Sequence, residues 1–434
     1  MFLSKDLQGF VDPHFGPITQ VMALPNAINT GNLTSVVAWT GDTAELNEAK
    51  KRPLFNPSVG GGISASLRQA ADIAVLEALE RQAASVWDIR EIIRVEEDVG
   101  NVLFDDFIKV QERFDRDRTH TLPRMWTKCL DHMSGLLIDV PASAVWLGFP
   151  EIIQFPMNSS GLAIGRSKIS SIISATLEVI ERDAIMVHWY TRTAPSRIAA
   201  DDCQSIIDPG VISLIHRMDD IDLTLFNITT EIGVPVVLAA LHGKNLEWIV
   251  FGAACRFDFA SAIRKSCLEA VHVWKMICRT LDRGRKPISE EQVVNFDHHA
   301  QIYSQSSHAH HAEFLFAGPL NRLESRAKNV SLISLQKSKI SSVREEEGDF
   351  AYLSTILRDS GLRLISKDLT PEYLREKDLH VARVCVPGLQ PLVLGKVNFP
   401  DLRRFTDFIK KRDAQRRDHD EISVEINPFI HPFA

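Results

Sequence analysis

Residues 76–83 read LEALERQA and residues 177–184 read LEVIERDA. Both follow Leu-Glu-x-aliphatic-Glu-Arg-x-Ala, and each sits inside a stretch with helical character and no internal glycine or proline, SLRQAADIAVLEALERQAASVW and SKISSIISATLEVIERDAIMVHWYTRT. Residues three apart share one helix face, so Glu77 and Glu80 project together, as do Glu178 and Glu181. Carboxylates among apolar neighbours repel one another and are costly to bury. A cation, a nearby arginine or exposure at the helix surface relieves that cost. The plain reading is exposure with a local ion pair, Arg81 and Arg182 each serving a glutamate of its own helix. The repeat argues for more. Each copy follows a glycine-containing segment, VGGGIS (59–64) or NSSGLAIG (158–165), read here as a loop. A third helix, SAIRKSCLEAVHVWKMICR (261–279), adds Glu269 in similar company. Five carboxylates from three helices suit a hard cation such as Mg2+, which takes oxygen ligands and is commonly shared with nucleotide phosphates. Glycine lets a backbone approach a ligand closely, and a helix N-terminus favours anions. No GxxxxGK[ST] and no kinase-type glycine loop is present, so a nucleotide would be held by another device.

The rest of the 434-residue chain is ordinary for a globular protein, with 45% hydrophobic and 24% charged residues. A net charge of −7 offers no attraction to nucleic acid or anionic lipid, and no apolar run reaches membrane-spanning length. The start lacks the pattern of a secretory signal, and the six scattered cysteines form no CxxC pair. The expected setting is cytoplasmic, with Cys267 and the other thiols as core filler. Residues 222–254 read as strands and turns and 379–395 as a buried strand ending in a Pro-Gly turn. Trp126, Trp189 and Trp274 are expected in the core. The histidine-rich run 297–314 is expected to be an exposed loop, not a metal site, and the mixed-charge stretch 401–421 a solvated helix face. With no long linker, one intertwined domain over 1–434 is expected, built on units at 59–90 and 158–192, a third acidic helix at 261–279 and a tail at 427–434.

Taken together, VDPHFGPI (11–18), GGGIS (60–64), LEALER, NSSGLAIG, LEVIERDA, EIGVP (231–235), SCLEAVHVW, VPGLQPL (386–392) and the terminal HPFA resemble the YcaO family, ATP-dependent enzymes that activate peptide amide oxygens. The GGGIS form and the proline-containing end look most like the cyclodehydratase component that makes thiazolines and oxazolines from Cys, Ser or Thr of ribosomally made peptides. The resemblance implies an α+β fold of mixed and antiparallel sheets packed with long helices, and ATP and Mg2+ as cofactors. It implies Glu77, Glu80, Glu178, Glu181 and Glu269 as metal-binding acids. Ser64, Asn158, Ser159 and Glu269 border the nucleotide, and Arg197 lies at the terminal phosphates. Arg81 and Arg182 are expected to be structural partners of the glutamates. Two departures stand out: His272 occupies a place where many relatives have glutamine, and the tail has fewer prolines than azoline-forming members usually show. His272 and the terminal carboxylate of Ala434 are the candidate proton acceptors. About sixty residues precede the first glycine segment, few for a separate leader-recognition domain. The expected partners are therefore a precursor peptide and a ubiquitin-activating-enzyme-like protein that captures its leader, with a flavin dehydrogenase where azoles are the product. Rival readings are thioamide or macrocyclic amidine formation at the same nucleotide site, a non-catalytic scaffold subunit, and a structural protein with surface ion pairs.

Overall fold

The computed structural model describes residues 2–24, 32–43, 58–94, 125–149, 158–282, 288–321, 342–395, 402–413 and 425–433. Its strands form three sheets. The first is β1 (Ile18–Ala23), β2 (Thr34–Thr40) and β3 (Val59–Ser64) in that order. The second runs β4 (Ile93–Arg94), β5 (Met125–Asp131), β13 (Ile365–Asp368), β14 (His380–Cys385) and β7 (Leu162–Gly165), with β6 (Leu137–Pro141) paired to β5. The third runs β11 (Ile249–Cys255), β10 (Val236–Gly243), β9 (Ile221–Asn227), β8 (Ser196–Ile198) and β12 (Leu320–Asn321). Every named pairing is antiparallel except β8 with β12.

One rule repeats across the three sheets. An edge strand leads directly into a long helix that packs back on its own sheet: β3 into α1 (Leu67–Ala84), β7 into α2 (Lys168–Tyr190), and β11 into α3 (Phe259–Asp282). Each helix starts on a side chain that accepts from a first-turn N–H. Ser66 accepts from Gln69 and Ser167 from Ser170, while Asp258 Oδ1 accepts from Ser261 (2.7 Å). Each helix also touches the strand of the next unit: α1 packs on β7, α2 on β11, and α3 on β3. The three strand–helix units therefore close into a ring.

VGGGIS is a strand and not a loop, and packing is the reason for its glycines. A Cβ on Gly60 would lie 2.2 Å from the Ala74 carbonyl oxygen, and one on Gly62 would lie 2.1 Å from that of Ala70. Ala70, Ala74 and Ala78 are fully buried, so a small-residue face of α1 lies directly on the strand. The same device recurs in the third unit, where a Cβ on Gly252 would lie 2.2 Å from the Ala270 nitrogen.

Trp126, Trp189 and Trp274 are core residues, and all six cysteines are free thiols, Cys267 fully buried among them. Among the described residues no helix is long and apolar enough to cross a membrane. The histidine-rich run differs from the exposed-loop expectation. It forms short helices, beginning with α4 (Phe296–Ile302), and His299 is fully buried. The Gly395 N–H donates to His299 Nε2 (3.0 Å), which leaves Nδ1–H to donate to the His431 carbonyl (2.8 Å). His431 Nε2 in turn faces the Val393 carbonyl (2.7 Å), and Tyr303 Oη donates to that of Ile430 (2.5 Å). The run is a clasp on the tail, because its hydrogen-bonding tips meet carbonyls that would otherwise be buried unpaired. Asn427 and Trp189 complete it, with Asn427 N–H donating to Tyr190 O (2.9 Å) and Trp189 Nε1 to Phe429 O (3.0 Å). The helical part of 401–421 within the described residues is α6 (Arg403–Asp413), preceded in the chain by α5 (Ser342–Asp359). Arg404 of α6 is no solvated surface charge: it holds the fully buried Asp183 of α2, with Nε on Oδ1 at 2.8 Å.

Candidate functional site

The paired glutamates lie where the units meet, and each pair divides its work in the same way. The first acid of each motif turns to a glycine amide of its own unit and to its own arginine. Glu77 Oε2 accepts from Gly61 N–H (2.8 Å) and its Oε1 from Arg81 (2.6 Å). Glu178 Oε2 accepts from Gly161 N–H (3.1 Å) and its Oε1 from Arg182 (3.2 Å). The i,i+4 pairs expected from sequence are therefore present. The second acid reaches across the seam to the next unit: Glu80 Oε2 accepts from Ile164 N–H of β7 (2.9 Å), and Glu181 Oε2 from Cys255 N–H of β11 (3.0 Å). Arg81 also donates to the Val59 carbonyl, tying helix to strand.

These contacts bring the acids close enough to shape one another's ionisation. Burial, then the carboxylates of Glu178 and Glu77, push Glu80 up to about 8, with Arg81 opposing. Its Oε1 has no hydrogen-bond partner among the described residues. Burial raises Glu181 as well, countered by Arg182 and reinforced by Glu178. Glu269 behaves differently. Burial alone would raise it, but the ammonium of Lys265 one turn earlier, helped by His272 and Arg182, holds it down at about 2. Glu77 in turn acts on Lys265, and both Glu77 and Glu269 act on His272, so the third helix meets the first at this point. Among the described residues no three His, Cys, Asp or Glu side chains are gathered tightly enough to form a ready metal cluster. The backbone N–H groups anchor the carboxylates separately around the seam. The donor set still suits a hard cation: carboxylate oxygens, one of them open, in a spot where burial and then the neighbouring carboxylates raise Glu80 against the opposing Arg81.

The other candidates are less convergent. Ser64 Oγ donates to Gln69 Oε1 (2.7 Å) and accepts from Ser66 N–H (3.1 Å), so it shapes the entry to α1. The Asn158 amide is committed to the Leu392 carbonyl (2.6 Å) and the Ser160 N–H (2.9 Å), which fixes the loop. Ser159 gives its carbonyl to Leu162 N–H at 3.0 Å. Arg197 lies on β8 with Nε on the Gly318 carbonyl (3.1 Å), and no ion pair joins it to the four glutamates among the described residues. Ala434 lies outside the described residues. Sequence reasoning missed Lys265, whose signal was its place four residues before Glu269 in RKSCLE.

A family model for YcaO cyclodehydratase, ATP- and Mg2+-binding, matches residues 60–390. The chain belongs to the YcaO family. An uncharacterized protein of Methanothermobacter thermautotrophicus is 24% identical over 266 residues, 58% of this chain and 62% of that protein. Three solved structures share the fold. A heterocyclase in complex with substrate and cofactor superposes with a TM-score of 0.72 at 17% identity, covering 99% of this chain and 56% of the other. YcaO from Methanopyrus kandleri, bound with AMPPCP and Mg2+, gives 0.60 at 19% identity, covering 88% and 89%. The E. coli microcin synthetase McbBCD complex with pro-MccB17 gives 0.57 at 12% identity, covering 85% and 88%. The chain thus spans less than two thirds of the first relative and of the first heterocyclase. The α+β architecture expected from the motifs is the architecture of the family.

Proposed function

We propose that this protein uses Mg2+ and ATP to activate a backbone amide oxygen of a peptide, and that the reaction is cyclodehydration of Cys, Ser or Thr to a thiazoline or oxazoline. The observation that carries the reading is the seam between the first two units. There Glu77, Glu80 and Glu178 crowd until burial and mutual repulsion lift Glu80 to about 8. A fold retains such an arrangement when something positive completes it.

An amide oxygen is a poor leaving group. The substrate thiol or hydroxyl gives up its proton and attacks the preceding amide carbon. The oxyanion takes the γ-phosphoryl group of ATP with release of ADP, and phosphate leaves as the amide nitrogen loses its proton and the C=N bond forms. Phosphoryl transfer asks mainly for positioning and charge neutralisation, and bound Mg2+ supplies the latter at the terminal phosphates. Glu77, Glu80, Glu178, Glu181 and Glu269 are the residues to hold it. Arg81 and Arg182 fix the first acid of each pair, and the backbone amides of Gly61 and Gly161 fix its second oxygen. Arg197 has its terminal guanidinium nitrogens without a partner among the described residues, open to an anion. The substrate is a ribosomally made precursor peptide, delivered by a leader-binding partner of ubiquitin-activating-enzyme type. The precursor carried by the E. coli synthetase complex supports a peptide substrate and a multi-protein setting. Soluble cytoplasmic biosynthesis is the setting this reading implies.

The test follows the oxygen. A precursor peptide with 18O in the amide preceding the modified residue is incubated with the protein, its partner, Mg2+ and ATP. The reading predicts loss of one water from the peptide and 18O in the released phosphate. Loss of water with unlabelled phosphate would sink the proposed activation.

A further inference from the structure

The ring has three seams, and two of them are spanned by a glutamate. In the motifs LEALE, LEVIE and LEAVH the third helix aligns with the first two, placing Glu269 with Glu77 and Glu178, and His272 with Glu80 and Glu181. The structure agrees with that alignment. Glu80 reaches from α1 to β7 and Glu181 from α2 to β11. His272 reaches from α3 to β3, where its Nε2 lies 2.7 Å from the place a Cβ on Gly61 would occupy. Gly61 is the residue whose N–H holds Glu77 (2.8 Å). The close approach explains a glycine at 61 separately from the helix packing that requires Gly60 and Gly62.

His272 is also the least satisfied group at the seams. Its Nδ1 is shut away from solvent without a partner, and no hydrogen bond involves either ring nitrogen among the described residues. A buried polar group left unpaired is costly, so an imidazole kept here needs a use. The carboxylates of Glu269 and Glu77 act on it through space, opposed by the ammonium groups of Lys265, itself bonded to Glu269, and of Lys275 further along α3. A neutral imidazole beside two carboxylates is a donor set for a divalent cation, one in which nitrogen replaces the oxygen ligand that hard-cation sites prefer.

Resting on the acid seam as the cation site, we propose that His272 supplies a nitrogen ligand to the divalent cation at the third seam, shared with Glu77 and Glu269. This site therefore takes Mn2+ or Co2+ more readily, relative to Mg2+, than an all-oxygen site does. A nitrogen committed to the cation accepts no substrate proton, so the proton acceptor is another group.

The test is pulsed EPR on Mn2+ bound to the full-length protein with a non-hydrolysable ATP analogue, using protein with natural-abundance or 15N-labelled histidine. The proposal predicts histidine nitrogen coupling to Mn2+ that changes with the label and disappears in His272→Gln. It also predicts that His272→Gln weakens Co2+ binding and leaves Mg2+ binding largely intact. The wild-type label comparison needs no variant, so a folding failure of His272→Gln leaves the test intact. Bound Mn2+ without histidine coupling overturns the proposal and spares the acid site. Mn2+ that does not bind, or binds equally well in Glu77→Gln, overturns both.

Discussion

Glu80→Gln should make the ligand-free protein more stable. Glu80 rises from an ordinary 4.5 to about 8 through burial and then through Glu178 and Glu77. At about 1.4 kcal/mol per pH unit, that difference sets a ceiling of ~5 kcal/mol above pH 8 and ~3 kcal/mol at pH 7. Glu80 is half-buried, so water on its open side screens part of this, and the expected gain at pH 7 is about 1–3 kcal/mol. The glutamine amide oxygen still accepts from Ile164 N–H, which keeps the seam closed. A group whose folded pKa exceeds its unfolded one carries extra protons in the folded state between the two values. Wild-type stability contributed here is therefore full below pH 4.5 and lost as pH rises towards 8. Denaturant unfolding at pH 5, 6, 7 and 8, without ligand, reads both effects. Glu80→Gln should flatten the decline and lie above the wild type at pH 8. A variant less stable than the wild type at pH 8, with the same pH slope, would refute the repulsion argument.

Three further outcomes follow from the packing. Gly62→Ala should destabilise by about 2 kcal/mol or more, since its methyl would sit 2.1 Å from the Ala70 carbonyl oxygen; thermal unfolding checks it. Arg404→Ala should cost about 3–5 kcal/mol by stranding the buried Asp183 carboxylate, while Arg404→Ala/Asp183→Leu recovers much of the loss in the same denaturation assay. The clasp should weaken in acid: burial lowers His299 from 6.5 to about 4, so its contribution is complete above pH 6.5 and lost as pH falls towards 4. Protease cleavage near the tail should rise over that window, and a flat profile would count against the clasp.

The helices were legible because their signals are local. The repeated Leu-Glu-x-x-Glu-Arg phrase fixes a shared face, and the i,i+4 arginine pairs follow from helix geometry alone. The serine before each of the first two helices is a cap in the structure. What was not legible depends on register between distant segments. Nothing near Glu80 in sequence says that its partner is the Ile164 amide, or that Glu181 finds Cys255. VGGGIS reads as a loop because three glycines are poor strand formers, and only the small-residue face of α1 lying on it makes a strand the better answer. His299 reads as part of a polar run until Gly395 and His431 close around it. The third repeat was recognised by Glu269, but the reach of His272 across to Gly61 of β3 emerged only from the structure.

The central claim is that the acids of the first two motifs form a nucleotide-linked cation site. Thermal unfolding of the wild type and of Glu77→Gln/Glu178→Gln, each with and without Mg2+ and ATP, tests it most directly. At a hundred times its dissociation constant a ligand stabilises by about 2.7 kcal/mol. The account predicts a rise in the wild type that needs both Mg2+ and ATP and is absent from the variant. An equal rise in wild type and variant would contradict it.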